Sequence, residues 1–416
     1  MTISFNAKTI THYLLVYLLI FTSGALVFKS SNSDLILLVA TAMAALAWWV
    51  YSAREINIKF LVYLAIFVIF LLVISSYTHG GMPVPTIVGQ VIKFMFVYFV
   101  IATVGDKFLG VYARLVILLA AVSIIGYISD QLPFFSGIVS LLPSHQWSGP
   151  TGLESGYEGL LYMFRFNVHL DRNNSIFFEP GAYQFFLNSA IFILLFYDLR
   201  LKKKQRMIGL AILLVAIATT QSTTGYITTV LIILGAFLYS KALSNGLKLT
   251  AVIMTVLLMA LLAPLFQSVI LDKITHYSSI ESIRDKKDLR SFELLVDKEI
   301  IKKYPLGLGY DGYRKAFSII GKAPLGHASS NGVTKLTAIF GLPFAIFYLG
   351  SMLWALLIYN KNIVIALFGW ITIILFLYSE AYYIFSPIIL AIIVGMFVLR
   401  QNTSTLSNEV KVVSHQ

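Results

Sequence analysis

Apolar segments joined by short loops run through nearly the whole chain, and two long polar stretches interrupt them, at 130–175 and 269–330. A helix needs about 20 apolar residues to cross a hydrocarbon core of ~30 Å. Segments that meet or nearly meet this length lie at 11–28, 34–51, 58–76, 86–103, 111–129, 176–197, 206–221, 224–241, 248–268, 333–359, 362–378 and 382–399. The pattern predicts an all-α integral membrane protein of about twelve transmembrane helices. Two of them are irregular. The 206–221 segment is short and runs into the polar TTQSTTG sequence. The 333–359 segment would be about 40 Å long as a straight helix, so Gly341 and Pro343 are expected to mark a bend or the point of entry into lipid.

Composition agrees. Hydrophobic residues make up 58% of the chain and charged residues 12%, with a mean hydropathy of +0.83. A soluble domain carries about twice that share of charge. The net charge of +12 does not imply nucleic-acid binding, because most of the excess sits in short loops, where it sets topology. With no cysteine, disulfides and thiolate metal sites are excluded. The first apolar segment lacks a small-x-small cleavage site and is read as an uncleaved helix.

Lysine and arginine choose the orientation. With both termini cytoplasmic, the inside connections hold Lys8, Arg54, Lys59, Lys107, the DLRLKKKQR run at 198–206, Lys241, Lys248, Lys361, Arg400 and Lys411. The short outside connections hold only Lys29. Both long loops then face outward, which in a bacterium is the periplasm or the outer face of the plasma membrane. The expected organisation is helices 1–5 in 1–129, a first periplasmic loop in 130–175, helices 6–9 in 176–268, a second loop in 269–330, helices 10–12 in 331–400 and a disordered cytoplasmic tail in 401–416.

The loops carry the candidate chemistry. In the second, Leu289, Phe292, Leu294, Leu295, Ile300 and Ile301 amid charges predict one or two amphipathic helices. KKYPLGLGYDGYR (302–314) comes next, where Pro305, Gly307, Gly309 and Gly312 punctuate an irregular turn. That turn is either a close backbone approach to a ligand or simply a compact loop. GHASSNG (326–332) then precedes a span. The first loop is aromatic and glycine-rich, and Trp147, Tyr157 and Tyr162 are candidates to stack on sugar rings. It ends in HLDRNNSIFFEPGAYQFFL (169–187). Proline is favoured at the first helical position, so a helix is expected to start at Pro180 with Glu179 as its cap and Arg172 just upstream. Glu179 is either a structural cap paired with an arginine or a functional carboxylate at membrane depth, where charge is costly. Lys93 either snorkels outward or faces a cavity as an anion contact. The hydroxyls of QSTTGY (221–226) bind a sugar or phosphate, or else satisfy the backbone of a turn.

Three of these patterns, in order, resemble the bacterial O-antigen polymerase and O-antigen ligase superfamily, whose polytopic members act on undecaprenyl-linked glycans. RNNSIFFEPGAYQFFL (172–187) is similar to the family's arginine, Glu-Pro or Asn-Pro, then helix. QSTTGY is similar to its small Ser/Thr-rich turn. RSFELLVDKEIIKKYPLGLGYDGY (290–313) followed by GHASSNGVTKLTAIFGLP (326–343) is similar to its arginine, Pro-Leu-Gly-x-Gly turn, His-x-Ser and glycine-bearing helix. The resemblance implies a GT-C-like membrane architecture, with short amphipathic helices in both long loops. It also implies a glycosyltransferase that elongates a lipopolysaccharide or related surface glycan at the periplasmic face of the inner membrane. The growing glycan on undecaprenyl diphosphate is the donor. A lipid-linked repeat unit attacks its anomeric carbon, and undecaprenyl diphosphate leaves. Glu-Pro at 179–180 favours polymerase over ligase.

The residue roles derive from that chemistry. Glu179 and His327 are the catalytic candidates; His327 titrates near neutral pH and is either the base or a loop scaffold. Arg172 and Arg290 are expected to hold the diphosphate through bidentate contacts, with Lys93, Arg284 and Arg314 in reserve. Ser222, Thr223, Thr224, Gly309 and Tyr310 line the substrate. No cofactor or metal is expected: no Asp-x-Asp pair occurs, and His145, His169, His276 and His327 lack metal-ligand spacing. The implied partners are the lipid-linked donor and acceptor, membrane lipids and a chain-length regulator. Two rivals stand beside this reading. One is a ligase that transfers finished glycan to lipid A core. The other is a lipid-linked oligosaccharide flippase, which explains the helices but not the charge gathered at one face.

Overall fold

The computed structural model describes residues 6–30, 32–52, 55–77, 83–132, 141–142, 145–149, 152–165, 171–199, 201–239, 246, 289–322, 328–360 and 362–399. Apolar runs form helices where the sequence places them: α1 (Ala7–Thr22), α2 (Leu26–Ser30), α3 (Ser33–Tyr51), α4 (Ile58–Tyr77), α5 (Val84–Val104) and α6 (Phe108–Gln131). After the first long loop come α7 (Pro180–Phe196), α8 (Lys203–Thr220) and α9 (Thr223–Tyr239). The last group is α10 (Leu289–Lys303), α11 (Gly309–Gly321), α12 (Gly332–Asn360), α13 (Ile363–Ser379) and α14 (387–399). Asparagines begin five of them. Asn6, Asn32, Asn57, Asn331 and Asn362 each accept from first-turn amides that would otherwise be orphaned.

Among the described residues, five segments are long and apolar enough to cross a membrane: Ser33–Tyr51, Ile58–Tyr77, Val84–Gln131, Gly332–Asn360 and Ala381–Leu399. The 48 residues of Val84–Gln131 are α5 and α6 joined by a 3-10 turn at Gly105–Lys107. Four further apolar helices, α1, α7, α9 and α13, are shorter. Eleven of the twelve predicted segments coincide with helices. The twelfth, 248–268, lies outside the described residues, as do the tail and most of 240–288.

The chain divides into two compact units. The first comprises Met1–Phe60, Ile92–Thr229 and Phe385–Gln416. In it α6 packs against α1, α7 and α8. The core is aromatic: Phe177 stacks on Phe186 with ring centres 4.2 Å apart and on Tyr183 at 5.5 Å. Ser23, at the end of α1, accepts from the Ile388 amide at the start of α14 (2.8 Å).

The first long loop departs from expectation. Its described residues form an antiparallel meander, β1 (His145–Gly149), β2 (Gly152–Glu158) and β3 (Met163–Arg165), in place of amphipathic helices. Glycine every three or four residues (Gly149, Gly152, Gly156, Gly159) costs a helix about 1 kcal/mol each relative to alanine. A short hairpin tolerates them. Tyr162, expected to be open for stacking on a sugar, is buried against α6: a Cβ at Gly126 would lie 2.6 Å from its ring.

The second unit comprises Leu61–Val91 and Val230–Ile384. Here α10 and α11 are amphipathic, with Phe292, Val296, Ile300, Tyr313 and Phe317 buried between them and α12. Phe67 and Phe70 of α4 pack on Phe344 of α12. The expected irregularity of α12 lies at Gly341, which has φ 84° and ψ 162° inside the helix, two residues before Pro343.

Candidate functional site

In the first unit the segment 171–179 is locked in place before it reaches Glu179. Residues 173–178 are buried. Ile176 accepts from the Leu26 amide (2.9 Å) and Phe178 donates to Gly24 (3.3 Å), so the segment runs beside the break between α1 and α2. On its other side Ser175 accepts from Met163 of β3 (3.0 Å). Asn173 reaches both neighbouring helices, donating to Ser123 Oγ of α6 (3.1 Å) and Thr219 Oγ1 of α8 (2.9 Å). Ser175 holds a positive φ of 54°.

Pro180 occupies the first position of α7 and Glu179 its cap position, as the sequence predicts. The carboxylate, however, accepts no hydrogen bond from the helix it precedes. Glu179 is half-buried. The structural-cap alternative therefore lacks its defining contact.

Arg172 is engaged at the end of α8. Its Nε donates to Thr220 O and its Nη2 to Gln221 O, both at 3.1 Å. A cation satisfies carbonyls at a helix C-terminus well. A second arginine, Arg165, is buried beside the approach to Glu179, and the sequence gives no reason to single it out. It donates to Phe178 O, one residue before Glu179, and its Nε donates to the Asn174 amide (3.0 Å) once that amide is turned with its oxygen toward the guanidinium. Lys29 lies over the same Phe178 ring, 3.0 Å from its centre.

The QSTTGY turn closes α8 and opens α9. Gln221 is left-handed (φ 49°) and binds Asp171 O through Nε2 (2.7 Å). Ser222 is buried and accepts from the Gly225 amide (3.3 Å), so it caps α9. Thr223 and Thr224 are half-buried. The turn-satisfying alternative thus holds for Ser222. Lys93 of α5 is also half-buried.

In the second unit the Pro-Leu-Gly-x-Gly turn is fitted into the break of α12. Leu342 donates to Pro305 O (2.8 Å), and Leu308 donates to Ala338 O and Ile339 O (both 3.2 Å). The break frees these groups, and the turn satisfies them. Gly307 (φ 88°) and Gly341 face each other so closely that a Cβ on Gly307 would lie 2.6 Å from Gly341 N, and one on Gly341 2.5 Å from Leu306 C. Gly309, φ 68°, is buried at the start of α11. Tyr310 packs edge-on against Phe340 (5.6 Å), and burial pushes its hydroxyl up to about 12, partly offset by Arg314. Arg314 is exposed.

A buried carboxylate pair, unforeseen from the sequence, anchors the segment 329–334 at the start of α12. Glu293 Oε2 accepts from Ser330 N (2.8 Å) and Ser330 Oγ (2.6 Å). Asp297, fully buried, accepts from Tyr313 OH (2.9 Å) and Thr334 Oγ1 (2.5 Å). Burial raises the Asp297 carboxyl to about 6, with Glu293 adding to the effect while hydrogen bonds from Thr334, Ser329 and Tyr313 oppose it. The signal was present: residues 293, 297 and 300 fall on the buried face of α10 at helical spacing. His327 and Arg284 lie outside the described residues, and so does the side chain of Arg290, whose backbone begins α10. Among the described residues no group of three or more histidines, cysteines or carboxylates is placed to hold a metal.

No protein-family model matches the chain, and no curated protein matches it.

Proposed function

We propose that this protein is a polysaccharide polymerase of the O-antigen type. It transfers a growing glycan from undecaprenyl diphosphate to the non-reducing end of a lipid-linked repeat unit, at the outer face of the plasma membrane. In this reading about twelve helices span the bilayer with both termini cytoplasmic. The observation that carries it is Glu179: a carboxylate at the mouth of an apolar helix, fixed by a buried segment, that makes no cap bond to that helix. A rigid, partly exposed carboxylate at a membrane boundary suits the task of orienting or deprotonating an acceptor hydroxyl. His327 shares or takes that role. Arg172 and Arg290 are the candidates to neutralise the leaving diphosphate, with Lys93, Arg284 and Arg314 in reserve. Thr223 and Thr224 are the substrate-lining candidates of the first unit, and Gly309 and Tyr310 those of the second.

The test is glycan banding in a deletion strain carrying plasmid-borne variants. Loss of the ladder with one repeat still attached supports polymerase; loss of every repeat points to ligase or flippase. Glu179→Gln preserves shape and hydrogen-bond acceptance yet removes the base. It should abolish the ladder at normal membrane level, and a full ladder would remove Glu179 from the chemistry.

A further inference from the structure

In the first unit α1 and α6 run side by side in the same direction. Near their starts, Arg114 of α6 donates to Tyr13 OH of α1 (3.3 Å). Near their ends, both are tied to the segment 171–178. Gly24 and Leu26, which follow α1, bond to Phe178 and Ile176, while Ser123 and Tyr127 of α6 bond to Asn173 and Asp171. The starts of α1 and α6 therefore share one end of the unit, and Lys8 and Lys107 with them.

One stripe of α6 faces outward. Lys107, which closes the 3-10 turn ahead of the helix, is followed at helical spacing by Arg114, Leu118 and Ile125. All four are exposed, Leu118 at 53% and Ile125 at 67%. Arg114 lies about 10 Å along the axis from Lys107. Side chains on a helix lean toward its N-terminus, so the guanidinium reaches back toward the Lys107 end. Among the described residues Arg114 and Lys107 form no ion pair, not even with the exposed Asp106, and the one hydrogen bond of the Arg114 side chain is to Tyr13. Setting the orientation of a helix asks only for positive charge near its end. It does not ask for a guanidinium aimed by a tyrosine of the next helix at the head of an apolar stripe.

We infer that this α1–α6 face binds an acidic phospholipid, with the phosphate held by Arg114 and Lys107 and an acyl chain lying along Leu118 and Ile125. The complementarity is one of charge and of order: an anionic head followed by an apolar tail meets two cations followed by an apolar stripe. The site is open at the surface, so the lipid needs no cavity. Arginine's planar fork suits a phosphate, and Lys8 adds a third positive charge at that end. A zwitterionic headgroup would bring its own ammonium into the same field and is disfavoured. The inference requires only that the helices lie in a bilayer, and it is independent of the glycan chemistry proposed above.

The experiment uses the full-length protein in detergent, with lipid retention read by native mass spectrometry. The probes are phosphatidylglycerol, the zwitterionic phosphatidylethanolamine and, as a free anion, glycerol phosphate. Phosphatidylglycerol should be retained well above phosphatidylethanolamine. Arg114→Gln and Lys107→Gln should each weaken its retention about fivefold, the worth of one basic side chain at an anionic lipid surface, with the unfolding temperature unchanged. Lys59→Gln removes the same charge from the exposed start of α4 and should leave retention near wild type. Wild-type retention in both the Arg114 and Lys107 variants would overturn the site. Equal loss in Lys59→Gln would overturn it too, by showing that net charge alone holds the lipid. Equal retention of the two phospholipids would overturn the recognition of an acidic head, and displacement by glycerol phosphate at matched concentration would make the ligand a free anion and overturn the lipid assignment. The glycan ladder judges the polymerase reading separately.

Discussion

Replacing Gly341 with alanine attacks the junction on which the second unit depends. The residue has φ 84° and ψ 162°, a region open essentially to glycine alone, and forcing a side chain into it costs about 1–3 kcal/mol. The added Cβ would stand 2.5 Å from both C and O of Leu306. Those atoms are backbone, so the 305–309 turn must move, and overpacking of this kind costs about 1–3 kcal/mol. Movement also strains the Leu342-to-Pro305 bond and the Leu308 bonds to 338 and 339. Together these effects come to about 3–5 kcal/mol. Gly350 supplies the control. It lies on the same helix, and a Cβ added there would meet nothing within 4 Å. Alanine at 350 should therefore be neutral or stabilising by up to about 1 kcal/mol. Thermal unfolding of the two purified variants, followed by fluorescence-detected size exclusion, should show Gly341→Ala several degrees below wild type and Gly350→Ala at or above it. Equal curves for the two would refute the interlocked-glycine reasoning.

Alanine at Arg172 or Arg290 should abolish the glycan ladder at normal membrane level, and lysine should rescue only partly, because a point charge cannot reproduce two directed contacts; a full ladder in both alanine variants would remove the arginines from diphosphate binding. Asp297 should make stability fall as pH rises from about 4 to about 6: its folded carboxyl titrates near about 6 against an ordinary 3.8, so the folded state holds the proton more tightly, an effect of at most about 3 kcal/mol. Asp297→Asn should therefore gain stability relative to wild type as pH rises through that window, and parallel pH curves would contradict this. Reporter fusions after Lys204 and Lys361 should read cytoplasmic and fusions near Gly156 and Asp288 periplasmic, while a periplasmic signal at Lys204 would overturn the orientation.

Legibility in the sequence depended on the range of each interaction. Helices were legible because their signal is local: apolar runs bounded by Asn6, Asn32, Asn331 and Asn362, and Pro180 at a first position. The bend at Gly341 was legible for the same reason, a glycine and a proline inside a segment too long for one span. Its partner was not, because nothing near Gly341 in sequence names Pro305 or Gly307. Arg172 stands near Glu179 in sequence, yet it bonds to Thr220 and Gln221, neighbours set by tertiary folding. Glu293 and Asp297 looked like the solvated charges of an amphipathic helix, and only their spacing with Ile300 hinted that they face inward. The strands of the first loop were hidden because their glycines weaken every periodicity.

The fit between the 305–309 turn and the break in α12 also sets an order of events during synthesis. The turn is made first, but the carbonyls of 338 and 339 and the amide of 342 do not exist until some thirty residues later. Until then the turn has nothing to close on, and the apolar face that α10 and α11 bury against α12 has no cover. Once residue 342 emerges, one backbone-to-backbone latch both ends that wait and quenches the polar groups of a broken helix. Because the latch is made of main chain and two glycines, no side-chain exchange at one site can compensate for loss at the other. Gly307 and Gly341 must be kept or lost together.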